Sequence, residues 1–91
     1  MAIADSTGIA QALAFWANLA PKERDVATAM AHGWANAEIA NRLALSPKTI
    51  DNRVSAIYEK LPATSGMDRR VQAVLLVRSF IERRGHNAHI I

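Results

Sequence analysis

Residues 44–55 read Ala-Leu-Ser-Pro-Lys-Thr-Ile-Asp-Asn-Arg-Val-Ser. Ser46 can accept a hydrogen bond from the amides of a first helical turn, and Pro47 suits the first helical position, where no donor is required. A helix is therefore predicted from Pro47 to about Leu61. Ile50, Val54, Ile57 and Leu61 recur at i, i+4, i+7 and i+11, which gathers them on one stripe and makes it the core side. Lys48, Asp51, Asn52, Ser55 and Glu59 fall on the opposite side, with Thr49, Arg53 and Lys60 along one flank. A merely solvated face would tolerate this set, but short hydrogen-bonding groups between cations also suit a polar, anionic partner.

The preceding segment, residues 36–44, carries Ile39, Ala40 and Leu43 at helical spacing and is separated from Pro47 only by Leu45-Ser46. Two helices joined by so short a break, the second longer and polar on its outer side, describe a helix-turn-helix. Further out, residues 8 to about 18 carry Ile9, Leu13 and Trp16 at helical spacing, and residues 21–32 carry Val26, Ala29 and Met30 before Gly33, a suitable residue just past a helix end. Residues 62–66 (Pro-Ala-Thr-Ser-Gly) read as a loop. Ser65, with Asp68 behind it, is the predicted cap of a last helix over about 67–84, ending before Gly85. No segment alternates polar and apolar residues long enough for a strand. The expected fold is all-α: a four-helix helix-turn-helix bundle over residues 19–85, an extra N-terminal helix within 1–18, and a tail at 86–91.

Composition narrows the function classes. With 91 residues, 51% hydrophobic but only 5% aromatic, the chain has room for one alanine-rich helical domain. It has no cysteine, so disulfides and thiolate metal ligands are excluded, and an intracellular, cytoplasmic location is the expectation. No stretch is apolar for long enough to span a bilayer, and no membrane partner is expected. The net charge of +3 is unevenly placed. Residues 1–45 hold three cations against four carboxylates, a net −1; residues 46–91 hold eight against four, a net +4. The basic half begins at the quoted helix and points weakly to a polyanion.

Three segments carry a resemblance: Pro-Lys-Glu-Arg-Asp-Val at 21–26, Asn-Ala-Glu-Ile-Ala at 36–40 and Leu-Ser-Pro-Lys-Thr-Ile-Asp-Asn at 45–52. In this order and spacing they resemble the DNA-binding domain of LuxR-type (FixJ/GerE-like) transcription regulators. Val-Gln-Ala-Val-Leu-Leu-Val-Arg at 71–78 is similar to that family's final helix. The resemblance implies a four-helix domain whose third helix enters the DNA major groove and whose fourth pairs in a homodimer. It assigns base reading to Asp51, Asn52 and Ser55 with Lys48 before them, DNA-backbone contacts to Ser46, Thr49, Arg53 and Lys60, and the dimer contact to Val71, Val74, Leu75 and Arg78. The chemistry of these side chains agrees: Asn can make two hydrogen bonds to an adenine edge, Asp can accept from a cytosine amino group, and Ser permits close approach, whereas Lys and Arg suit phosphates. The implied partners are double-stranded DNA, a second copy of the chain, and RNA polymerase or a regulatory protein. No cofactor is implied.

The sequence departs from the family at four places. Ala20 and Ala35 stand where Thr or Ser usually begins the second and third helical segments, although Glu23 and Glu38 keep the other half of each capping box. Arg53 replaces a frequent histidine. The loop after Leu61 is several residues longer than usual, which opens the alternative that the Val71–Leu75 surface folds back onto the first helix around Leu13 and Trp16.

The remaining candidates have plain readings. His86 and His89 are spaced i, i+3 without a carboxylate or cysteine beside them, so no metal site is expected. His32 reads as a C-terminal helix residue near the negative end of the dipole, and Trp16 and Trp34 as core or edge-of-core anchors. Arg69-Arg70 and Arg83-Arg84 suit solvated faces as well as phosphates. No nucleophile, base and orienting group can be assembled, so no enzyme is expected. The leading expectation is a sequence-specific DNA-binding transcription regulator, either free-standing or excised from a longer protein, the initial Met and the absence of a sensor domain favouring the first. The alternative is a helix-turn-helix used as a protein-protein interaction module.

Overall fold

In the computed structural model the backbone is described for residues 2–63 and 66–90, and the side chains for residues 8–63 and 66–83. Among the described residues there are five helices and no strand: α1 (Ala2–Asn18), α2 (Pro21–Ala31), α3 (Asn36–Leu43), α4 (Pro47–Glu59) and α5 (Arg69–Ile90). No described helix is long and apolar enough to cross a membrane.

The core is the meeting point of α2, α4 and α5, with α3 laid against α4 and α1 against α5. Val26, Ile39, Ile50 and Ile57 are fully buried there, joined by Met30, Ala73 and Val77. Removing each such aliphatic side chain from water contributes about 1.5–3 kcal/mol, so this cluster supplies the main drive for assembly. The first helix buries a different stripe from the expected one. Ala12, Phe15 and Leu19 turn inward, Leu13 is 49% exposed, and Ile9 and Trp16 lie between. An Ile-Leu-Trp spacing selects the bulkiest residues, but the docking of α1 on α5 selects a stripe about one residue away. The Trp16 ring then lies parallel to Phe80 with centroids 4.6 Å apart, and the Arg24 guanidinium sits 5.4 Å from the same indole.

Helix ends are set by identifiable groups. Gly33, at φ +87°, reverses the chain after α2, a conformation that costs a residue without a Cβ little. The end of α3 is turned by Ala44 at φ 56°, while Leu45 N–H reaches back to the Ala40 carbonyl at 3.0 Å. This left-handed alanine fixes the helix-turn-helix angle at a steric cost. Ser46 accepts from the Thr49 amide at 3.1 Å, and Pro47 opens α4, as the sequence predicts. Three boundaries differ: α1 already begins at Ala2 rather than at residue 8, and both ends of the last helix move. The last helix begins at Arg69 rather than Met67, because Asp68 is the cap and accepts from the Val71 amide at 3.1 Å; Ser65 lies outside the described residues. It also continues through Gly85 to Ile90, since glycine alone weakens a helix without stopping it. Residues 86–90 are thus helical backbone, and the side chains of His86 and His89 lie outside the described residues.

Neither Ala20 nor Ala35 offers a side-chain cap. Glu23 still reaches back to the Ala20 amide at 2.9 Å, whereas Glu38 turns to Arg42 at 2.7 Å. Ala35→Ser should therefore raise stability by about 0.5–2 kcal/mol, and Ala20→Thr by a similar or smaller amount. Relieving the left-handed alanine by Ala44→Gly should add about 1 kcal/mol. Denaturant melts of the three variants read these gains directly. An unchanged midpoint for Ala44→Gly would mean that the turn relaxes without strain.

Candidate nucleic-acid interface

The geometry of α4 follows from its burial. With Ile50, Val54 and Ile57 pressed into the core, a 3.6-residue repeat turns positions 48, 51, 52, 55 and 59 to solvent. Lys48, Asn52 and Ser55 are exposed, and their side chains make no hydrogen bond within the described structure. Arg53 is half-buried on the flank, equally without an ion-pair partner. The first turn of α4 holds no acidic residue, so the positive end of its dipole and Lys48 act together. The Ser46 and Thr49 hydroxyls lie 2.8 Å apart at this end, hydrogen-bonded to each other.

Two of the residues assigned from sequence have protein partners. Asp51 is exposed, yet its Oδ1 accepts a hydrogen bond from Asn36 Nδ2 at 3.1 Å. Asn36 Oδ1 in turn accepts from Arg70 at 2.9 Å, and Arg70 also donates to the Trp34 carbonyl at 2.7 Å. Lys60 differs more sharply from expectation. Rather than pointing to a phosphate, its ammonium lies 2.6 Å from Glu23 Oε1, with side-chain exposures of 34% and 15%. Lys60 lies at the C-terminal end of α4, so following the flank from Arg53 brings it under α2 rather than along the outer face. Its charge is committed within the fold.

The Glu23 carboxyl registers this. Burial by itself pushes its pKa up, but the Lys60 hydrogen bond, the Ala20 amide and the Lys60 charge together more than offset burial and leave it below its ordinary value of 4.5. Other basic residues of the C-terminal half are likewise engaged: Arg69 donates to the Tyr58 carbonyl at 3.3 Å, and Arg70 joins the network just described. Sequence reading missed Asn36 and Arg70. The available signal was an Asn at a first helical position, inside the helix rather than capping it. The four residues assigned to a dimer contact are in mixed settings. Val71 and Leu75 are 50% and 53% exposed, Arg78 is exposed, and Val74 is half-buried against the core. The first helix covers Phe80 and leaves the Val71–Leu75 side open, so α5 does not fold that side back onto Leu13 and Trp16. Among the described residues no group of His, Asp and Glu could hold a metal ion.

Residues 17–77 match the family described as bacterial regulatory proteins, luxR family (GerE). The chain belongs to that family. It is 41% identical over 59 residues to the HTH-type transcriptional regulator Rv0890c of Mycobacterium tuberculosis, a stretch covering 65% of this chain and 6% of that protein. Over 69 residues it is 36% identical to the transcriptional regulatory protein SgaR of Hyphomicrobium methylovorum, covering 76% of this chain and 30% of SgaR. The chain therefore spans only a small part of the length of these relatives. No solved structure matches it. The matched region takes in the last two residues of α1, all of α2, α3 and α4, and α5 as far as Val77.

The Glu23–Lys60 pair predicts an acid limb in the stability curve. Because the folded pKa of Glu23 lies below its unfolded value, the stabilisation is complete above about the ordinary value of 4.5 and is lost as pH falls through the folded pKa. Glu23→Gln should lower stability at neutral pH by about 1–2 kcal/mol, less than for a fully buried pair, and flatten the curve below that value. Thermal melts at closely spaced pH values measure both effects. A Glu23→Gln curve parallel to wild type would assign the acid limb to other carboxylates.

Proposed function

We propose that this chain is the sequence-specific, double-stranded-DNA-binding module of a transcription regulator, with α4 as the helix that enters the major groove. The observation that carries the reading is the combination on α4 of a fully buried aliphatic stripe and an opposite side on which Lys48, Asn52 and Ser55 have no hydrogen-bond partner among the described residues. Asn52 and Ser55, with Lys48 and Asp51 beside them, are the base-reading set; Ser46, Thr49 and Arg53 are the backbone-contacting set. Lys60, held by Glu23, leaves that set. An exposed helix start with a nearby lysine favours phosphate, and an unpartnered asparagine amide favours an adenine edge. The module is a binding domain, not an enzyme, and acts in the cytoplasm where duplex DNA is its partner.

The module acts as a homodimer through α5. Val71 and Leu75 are apolar, exposed and on the side of α5 away from α1, which is where a two-fold partner adds least disturbance to the core. Such a pair sets two α4 helices on one duplex, so the preferred site is an imperfect inverted repeat with half-sites about one helical turn, roughly 10 base pairs, apart or closer.

Three variants separate the roles. Arg53→Ala should weaken binding to every duplex and lower the salt slope by about one unit; Asn52→Ala should cost about 1–3 kcal/mol on the preferred site alone. Lys60→Ala should lower thermal stability while leaving the salt slope unchanged. Titrations on selected and scrambled duplexes at several salt concentrations decide these, and equal losses for Asn52→Ala on both duplexes would remove it from base reading.

The dimer has its own test. Leu75→Glu should stay folded, sediment as a monomer and bind a two-half-site duplex more weakly than wild type. Unchanged mass and affinity in that variant would overturn the α5 dimer.

A further inference from the structure

The chain of contacts from Arg70 through Asn36 to Asp51 joins the start of α5, the first residue of α3 and the outer side of α4. The polarity of this chain is fixed by chemistry. A guanidinium only donates, so the Asn36 atom facing Arg70 is the amide oxygen; an ionised carboxylate only accepts, so the Asn36 atom facing Asp51 is the amide nitrogen. Arg70 is held in turn by the Trp34 carbonyl at 2.7 Å. Arg70 and Asn36 are half-buried while Asp51 is exposed, so the anchored end of the relay lies in the protein and its free end on the surface.

We propose that Asn36 and Arg70 are positioning residues that orient the Asp51 carboxylate for reading one base pair, and that the base it selects carries an amino group in the major groove. This rests on the reading of α4 as the groove-entering helix. One Asp51 oxygen is engaged by Asn36 at 3.1 Å, which restricts rotation of the short side chain. The other oxygen makes no hydrogen bond within the described structure and is an acceptor with nothing to donate. In the major groove only cytosine N4 and adenine N6 are donors, whereas guanine and thymine present oxygen acceptors on the corresponding edge. A fixed carboxylate therefore gains a hydrogen bond from cytosine or adenine and meets an unpaired acceptor at guanine or thymine, where a freely rotating one could turn away to water. Asp51 alone supplies the acceptor; Asn36 and Arg70 make the discrimination sharp by preventing that escape.

The test compares wild type, Asp51→Ala, Asn36→Ala, Asn36→Asp and the Asn36→Ala/Asp51→Ala double variant. A duplex selected by the wild type from a random pool is changed to all four bases at each position. Asn36→Asp keeps an oxygen for Arg70, replaces the donor to Asp51 by a carboxylate that repels it and adds one negative charge, so the general effect of that charge is read on scrambled duplexes and the loss of orientation at the single selected position. Wild type should prefer cytosine or adenine at one position by roughly tenfold. Asp51→Ala should flatten that position, Asn36→Ala and Asn36→Asp should each reduce the preference there at least threefold, and the double variant should be no flatter than Asp51→Ala. Binding of Asn36→Ala to scrambled duplexes should stay within about twofold of wild type, whereas Asn36→Asp should lose affinity for all duplexes alike through its added charge and lose selectivity only at that position, outcomes that a purely structural role would not combine. If Asp51→Ala flattens a position that both Asn36 variants leave intact, Asp51 reads unaided and the inference fails while the groove reading stands. Full selectivity in Asp51→Ala, with Asn52→Ala still impaired, overturns the role of Asp51 alone. A wild type that enriches no motif overturns the groove reading and the inference together.

Discussion

Burial of Ile50, Val54 and Ile57 on one side of α4 is the constraint from which the remaining architecture follows. These residues are essentially inaccessible to water, and they meet Val26 and Met30 from α2, Ile39 from α3 and Val77 from α5. A helix docked so firmly has no rotational freedom about its axis. The side chains at 48, 51, 52 and 55 are then presented on a rigid support. Packing thus sets where the polar face points, and at Asp51 the Asn36 hydrogen bond adds to it.

A second theme is the use of cations to join helix ends. Arg24 donates to the carbonyl of Trp16 at 3.1 Å, at the end of α1; Arg69 binds the Tyr58 carbonyl near the end of α4; Arg70 binds the Trp34 carbonyl ahead of α3. The Trp16 and Tyr58 carbonyls lie in the last turns of α1 and α4, at the negative ends of their dipoles, where a guanidinium is favoured, while the Trp34 carbonyl belongs to the turn between α2 and α3. Lys60 closes the other direction by neutralising Glu23 at the start of α2. Three of the eight cations of the C-terminal half, Lys60, Arg69 and Arg70, are thus engaged within the protein. The charge left unpaired on α4 is small and local, namely Lys48 and Arg53.

Aromatic residues stand at the margins of the same design. Trp16 joins α1 to Phe80 of α5, and Trp34 lies under the Arg42 guanidinium at 4.0 Å beside His32. Each ring is half-buried, with a cation on its open side, an arrangement that protects apolar area where the small core ends. Both tryptophans read from sequence as core or edge-of-core anchors. That expectation matches their surroundings.

Much of the helix-turn-helix was legible because its signals are local. Ser46 and Pro47 announce a helix start, Gly33 marks an end, and the 4-3-4 spacing from Ile50 to Leu61 fixes which side of α4 is buried; the family segments add order and spacing. Interactions closing over long separations were not legible. Nothing near Lys60 in the chain indicates that Glu23, 37 residues earlier, will take its charge, nor does Asp51 reveal that an asparagine 15 residues away will hold it. The stripe of α1 was misjudged for the same reason: several rotations of an alanine-rich helix are nearly equivalent until α5 supplies a surface. The sequence by itself therefore determined the helices, the turn between α3 and α4 and the identity of the buried stripe, since capping, glycine geometry and periodicity act within a few residues. Only the tertiary structure decided which polar and charged groups on those helices are taken up inside the protein and which remain free, because pairing at a distance depends on where packing brings two side chains and not on either side chain alone.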